Sequence, residues 1–151
     1  MNIQPLAAPA PAFLAPLVVA SEAEGFRFLR RLVREWEIGA GRFAGPGEIL
    51  LGVVDGPAWV AIGGLTADPY STEDGLGRLR HVYVRPDARR SGVGRMLVEA
   101  LEARARPQFA ALALRTDSEP AARFYEALGY RRLPPGGTAT HRRDLSFGAN
   151  R

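Results

Sequence analysis

The stretch best equipped for chemistry is Val82-Tyr83-Val84-Arg85-Pro86-Asp87-Ala88-Arg89-Arg90-Ser91-Gly92-Val93-Gly94-Arg95. An alternating apolar run ends there, a loop follows with glycines at 92 and 94, and an amphipathic run begins. The first turn of a helix has N–H groups without intrahelical acceptors and a partial positive charge. Glycine lets such a backbone approach a ligand with no Cβ in the way. With Arg89, Arg90 and Arg95 around it, the loop is a site for a diphosphate. The competing reading is a glycine turn with solvated arginines. The loop is not a P-loop, because no Gly-Lys-Ser/Thr follows, and Leu97 stands where a dinucleotide fingerprint has its third glycine.

What the chain lacks narrows the other possibilities. It has no cysteine, so disulfide scaffolds, thiolate zinc sites and a cysteine nucleophile are excluded. Its two histidines are His81 and His141, too few for a histidine-rich site, and no metal is expected. All 20 basic residues are arginine, against 16 acidic ones, giving a net charge of +4. That excess fits a phosphate-bearing ligand, a nucleic acid or simple solubility. The arginines are spread along the chain without aromatic interleaving, so no nucleic acid partner is expected.

The elements that must position the loop follow from length and pattern. The 151 residues, 46% hydrophobic and 24% charged, suit one ordinary globular domain over 1–151. No run approaches the ~20 apolar residues of a membrane span. The Ala- and Pro-rich stretch Pro5–Ala20 lacks a basic leader and is interrupted by Pro16, so a cytoplasmic protein with no membrane partner is expected. Phe26, Leu29, Leu32, Val33 and Trp36 recur at helical steps and predict a helix from about Ser21 to Ile38, closed by Gly39. Glu48–Val54 and Ala58–Leu65 read as a hairpin about Asp55-Gly56. Arg78–Val84 reads as a strand, Val93–Arg106 as a helix, Phe109–Leu114 as a strand covered on both faces, and Glu119–Leu128 as a helix. Asp117 or Ser118 can cap that last helix, and Thr138–Phe147 is a final strand. The expected fold is α/β: a mixed sheet, antiparallel at its start, with a central parallel β-α-β unit flanked by helices.

Two motifs in this order resemble a known family. Arg89-x-x-Gly92-x-Gly94, after a Val-x-Val-x-Pro strand end, is similar to the acetyl-CoA-binding motif Gln/Arg-x-x-Gly-x-Gly/Ala of the GNAT N-acetyltransferases. Ala121-Ala122-Arg123-Phe124-Tyr125-Glu126-Ala127-Leu128-Gly129-Tyr130 resembles that family's Ala-x-x-x-Tyr-Glu-x-x-Gly-Phe/Tyr helix. The resemblance runs clearly from Arg78 to Tyr130. It implies acetyl-CoA as co-substrate and a small-molecule or peptide amine as acceptor. It implies that the backbone of Arg90, Ser91, Gly92, Val93, Gly94 and Arg95 holds the pyrophosphate. Val82 and Val84, with Tyr83 between them, would pair with pantetheine like an added strand, and an amide there would polarise the thioester carbonyl. Tyr125 matches the tyrosine that protonates the departing thiolate. Its other reading is a core aromatic, since Ala121, Ala122, Phe124 and Leu128 share its helix. Ser118 stands where the family often has a cofactor-contacting Asn, and can still donate and accept. Some members that acetylate protein N-termini carry a Glu on the fifth strand; here the aligned stretch is apolar, with Ala113 nearest.

The general base is open among His81, which titrates in the right range, Glu73, Asp74 and a water. The helix before Gly39 and the loop Asp68–Gly77 would form the acceptor pocket, and the acids of that loop hint at a cationic acceptor. With no cysteine for an acyl-enzyme, direct attack in a ternary complex is expected. The alternative is a non-catalytic module that binds or senses acyl-CoA. Monomer and homodimer are both compatible with the sequence.

Overall fold

Alternating apolar residues build the sheet, and one glycine splits the N-terminal helical region. The computed structural model describes residues 1–6, 11–39 and 43–145. The elements run β1 (Asn2–Pro5), α1 (Pro11–Ala23), α2 (Phe28–Glu37), β2 (Ile49–Asp55), β3 (Ala58–Ala67) and β4 (Leu76–Val84). After a 3-10 turn (Pro86–Ala88) come α3 (Val93–Ala105), β5 (Ala111–Leu114), α4 (Glu119–Ala127), β6 (Arg131–Arg132) and β7 (His141–Asp144). The described strands form one sheet in the order β1-β2-β3-β4-β5-β7-β6. β4 and β5 are parallel, and the other neighbours are antiparallel. This is the mixed α/β sheet that the sequence pattern predicts.

The expected helix from Ser21 to Ile38 is corrected to two helices. Gly25 has φ +88°, a left-handed conformation that favours glycine. Its N–H donates to the Glu22 carbonyl at 3.0 Å, and the Phe26 N–H donates to the Ser21 carbonyl at 3.0 Å. That pair of bonds is a Schellman closure, so Ser21 lies in the last turn of α1 rather than opening a helix. α1 itself went unpredicted because it is apolar on most of its surface and holds Pro16 in its interior. A mid-helix proline costs about 3 kcal/mol. Burial of Leu14, Leu17 and Val18 against the sheet offsets it. β1, an edge strand paired with β2, and the two-residue β6 are also additions to the sequence reading. The final strand is shorter than Thr138–Phe147; Ser146 and Phe147 lie outside the described residues.

The sheet separates two apolar layers. On one face Leu14, Leu17, Leu29 and Leu32 of α1 and α2 pack on Leu50, Ile62 and Tyr83. On the other, Leu97 and Leu101 of α3 and Tyr125 of α4 pack on Leu51, Val53, Leu112 and Leu114. Strand alternation sends Tyr83 to the first layer and its neighbours Val82 and Val84 to the second.

Two irregularities in β4 shape the site. Opposite β3, Ile62 faces Tyr83 while Gly64 faces Arg80, so His81 and Val82 together oppose Gly63. This is a β-bulge, and His81 takes the left-handed conformation it needs, φ +58°. On its other edge β4 pairs with β5 only at Leu76–Ala111, Gly77–Leu112 and Arg78–Ala113. From Leu79 to Val84 that edge has no strand partner among the described residues, roughly 20 Å of open backbone at the rise of a strand.

Candidate active site

The open edge leads into the glycine loop. The Arg85 N–H donates to the Val60 carbonyl at 2.9 Å, on the β3 side. Alternation therefore turns the N–H and C=O of Val84, and of Val82 before it, toward the edge that β5 has left. The chain then winds through the 3-10 turn, where the Ser91 hydroxyl donates to the Ala88 carbonyl. Arg90 at φ +64° and Gly92 at φ +83° bend the backbone into α3. Among the described residues, the six N–H groups from Arg90 to Arg95 have no acceptor; the next one, on Met96, donates to the Gly92 carbonyl at 3.0 Å. A Cβ placed on Gly92 would have nothing within 4 Å, so the loop presents a bare backbone to solvent. Val93 anchors it by being buried. Gly94 lets α4 come close, since a Cβ there would lie 3.2 Å from the Phe124 ring.

The loop arginines divide. Arg89 is committed: its guanidinium donates to both Glu24 oxygens at 2.7 and 2.8 Å, and its Nε donates to the Val84 carbonyl at 2.9 Å. Arg95 makes one exposed pair with Glu99 at 3.4 Å, and Arg90 is exposed with no carboxylate partner among the described residues. The Tyr83 ring lies beneath Arg89, 5.6 Å from its guanidinium carbon, and the Tyr83 hydroxyl donates to Glu24 at 2.6 Å. These bonds from Arg89 and Tyr83 hold the Glu24 carboxyl below its ordinary range. Burial, with the Glu24 bond added, pushes the Tyr83 phenol up.

Tyr125 projects from α4 into the layer beneath the open edge. It is 7% exposed and meets Phe124 and Tyr130 edge-on at 5.1 and 5.6 Å. Its hydroxyl has no hydrogen-bond partner among the described residues, and burial pushes the phenol up. Ser118 caps α4, its hydroxyl accepting the Ala121 N–H at 3.3 Å. His81 sits on the bulge with its ring edge-on to Phe43 at 6.3 Å. Its Nδ1 is buried without a partner. Burial, reinforced by the neighbouring Arg80 charge, lowers the imidazole to about 4, so His81 is neutral at physiological pH.

The two acids considered as bases lie elsewhere. Glu73 and Asp74 precede β4, on the side where it pairs with β5, while the open edge runs from Leu79 to Val84 and the loop follows the strand's other end. Glu73 is also held by Arg142 through two bonds of 2.9 and 2.6 Å. Glu24 is the residue that sequence reasoning missed. Read as a first-turn acid of the helix expected from about Ser21, it had no distinguishing mark; the signal that could have found it was Gly25 beside it.

The splayed strand pair and the bare amide row lie side by side, and comparison with known proteins places the chain in a family. The sequence model of the acetyltransferase (GNAT) domain matches residues 54–132, which spans β3 through β6 and both motifs. The chain belongs to the GNAT acetyltransferase family, and it is an acyltransferase. A protein from Exiguobacterium sp. 255-15, proposed to be an acetyltransferase, is 29% identical over 99% of this chain and 98% of its own, with a TM-score of 0.82. A GNAT-family acetyltransferase from Staphylococcus aureus Mu50 is 18% identical, covers 95% and 98%, and has a TM-score of 0.73. The ribosomal-protein-S18-alanine N-acetyltransferase of Escherichia coli is 18% identical, covers 93% and 88%, and has a TM-score of 0.63; at that identity the likeness is one of fold. No protein of curated function matches the chain. Among the described residues no cluster of His, Asp and Glu is placed to hold a metal ion, and no helix is long and apolar enough to cross a membrane.

Proposed function

We propose that this chain moves an acetyl group from acetyl-CoA to a primary amine on a small molecule or peptide, by direct attack in a ternary complex. The observation that supports it best is the row of six unpaired N–H groups from Arg90 to Arg95, placed where the open edge of β4 ends. Bound acetyl-CoA supplies an activated acyl thioester and a thiolate leaving group. The loop amides hold the pyrophosphate, with the exposed Arg90 and Arg95 adding positive charge. The outward groups of Val82 and the N–H of Val84 pair with the pantetheine arm, the Val84 carbonyl being held by Arg89, and an N–H on that edge stabilises negative charge as it develops on the thioester oxygen. Ser118, capping α4, contributes by fixing the start of the helix that carries Tyr125.

The state of each proton follows from burial. The Tyr125 phenol is raised, so it is protonated throughout the neutral range, and it has no internal acceptor to satisfy. Against a thiol of about 8.5, a phenol above about 10 gives up its proton only uphill. Tyr125 therefore acts chiefly by donating a hydrogen bond to the leaving sulfur. His81 is in its accepting form above about pH 4. The nitrogen of the attacking amine becomes strongly acidic as its new bond forms, and at that stage even a weakly basic imidazole takes the proton, directly or through water. α1, α2 and the turn between them form the acceptor side.

The test is calorimetry with acetyl-CoA, then a thiol-release screen over amino acids, polyamines, aminoglycosides and peptide N-termini. Micromolar binding with turnover on one amine class is the expected result. Binding without turnover on any of them, unchanged by Tyr125→Phe, would instead favour a sensing module.

A further inference from the structure

Three parts of the chain, remote in sequence, meet at one carboxylate. Glu24 belongs to the turn between α1 and α2, Tyr83 and Val84 to the open strand, and Arg89 to the start of the cofactor loop. Arg89 engages both Glu24 oxygens in a fork, and Tyr83 adds a third bond to one of them. A planar guanidinium held at two oxygens and at the Val84 carbonyl has its orientation determined, unlike one in a single-contact surface pair. The other loop arginines reach only near neighbours: Arg85 forks onto Asp87, two residues away, and Arg95 pairs with Glu99 in its own helix. The Arg89 fork spans 65 residues and joins the acceptor-side turn to the cofactor-side loop. The α1–α2 turn has few other ties to that loop, since its own backbone bonds go back into α1.

We propose that Glu24 is a positioning residue that couples the two substrate sides: it seats Arg89 on the Val84 carbonyl, so that acyl-CoA bound at the loop orders the α1–α2 turn for the acceptor. The proposal rests on the acyl-CoA reading above. Glu24 touches neither the cofactor loop amides nor the thioester position; it acts through Arg89. Coupling of this kind is reciprocal, so whatever orders the turn also tightens the loop's hold on CoA.

The experiment uses the full chain and CoA as the probe. Hydrogen exchange is followed by mass spectrometry in peptides covering residues 24–31 and 89–95, with and without saturating CoA. CoA affinity is measured separately by calorimetry. In the native chain CoA is expected to protect both segments. In Glu24→Gln, which keeps an acceptor for Tyr83 but loses the charge, protection of 89–95 is expected to persist while that of 24–31 is lost. CoA affinity is expected to fall about fivefold, the lower end of ordinary coupling. Glu24→Asp, which restores the charge on a shorter arm, is expected to recover part of both effects, as a purely structural role would not require. Native-like protection of 24–31 in Glu24→Gln with unchanged affinity overturns the coupling, as does a native chain that binds CoA without protecting 24–31. A native chain that fails to bind CoA overturns the acyl-CoA reading and the coupling with it.

Discussion

The two ends of β4 solve opposite problems with the same neighbour. At its beginning, Leu76, Gly77 and Arg78 pair with β5. Arg78 is 5% exposed, bonded to Asp68 at 3.2 Å and to the Thr138 carbonyl at 2.7 Å, with Tyr70 4.7 Å away across its face. Nearby, Arg142 clamps Glu73. At its other end the strand leaves β5, and the following loop has six consecutive amides with no internal acceptor. Unmade hydrogen bonds are expensive in a buried place and cheap at a wet opening. The closed end is therefore architecture, and the open end is where the proposed ligand would sit.

Substitutions that sharpen this contrast should affect stability at one end and binding at the other. Asp68→Asn leaves the Arg78 charge buried beside a neutral partner and is expected to cost about 3–5 kcal/mol in urea unfolding. The surviving folded fraction should keep its CoA affinity. A loss of binding larger than the unfolded fraction explains would break the division between the two ends.

The bulge between them has its own pH signature. The unfolded chain takes a proton at His81 near pH 6.5, which the folded chain refuses until about pH 4. Between those values the unfolded state binds more protons, so stability falls as pH drops through the window, by at most about 3 kcal/mol. His81→Asn removes the titration and tolerates the left-handed backbone. Its stability, measured at pH 4.5 and 7, should vary less with pH than that of the native chain.

At the open end, Gly92→Val adds bulk where the free protein has space, so packing is undisturbed. It also puts a β-branched residue at φ +83°, costing about 1–2 kcal/mol locally. CoA affinity is expected to drop about 100-fold, close to 2.7 kcal/mol. Micromolar affinity retained in that variant would sink the loop assignment. The smallest effect is expected for Tyr125→Phe: about tenfold in kcat, or 1.4 kcal/mol, with CoA affinity unchanged.

The order of strands and helices from Glu48 to Leu128 was legible because each signal was local. Apolar runs about Asp55-Gly56 mark β2 and β3, alternation marks β4, glycine and arginine mark the loop, and Ser118 marks the cap of α4. Features that depend on remote contacts were not. Gly25 looks like one glycine in a helical pattern until its bonds to Glu22 and Ser21 show a helix end. β1 is too short and exposed to carry a pattern. His81 fits an ordinary strand position, and only the register across β3 shows the bulge. Glu73 and Glu24 are equally plain acids in sequence. Topology takes the first away from the site and brings the second to it.

The three-residue ladder between β4 and β5 has one more consequence. β1 to β4 form one jaw and β5, β7 and β6 the other, joined along the sheet by those three pairs and by the Gly75 carbonyl, which accepts the Ala110 and Ala111 N–H groups. On the proposed acyl-CoA reading, the ladder is a pivot at one end of the opening between β4 and β5, and its angle would set how thick an acyl arm fits there. Gly77 lies in that pivot, where a Cβ would press within 2.8 Å of Leu112 and 2.9 Å of Phe109. A methyl group there would act as a shim, changing the bite at the far end while touching nothing that the substrate touches.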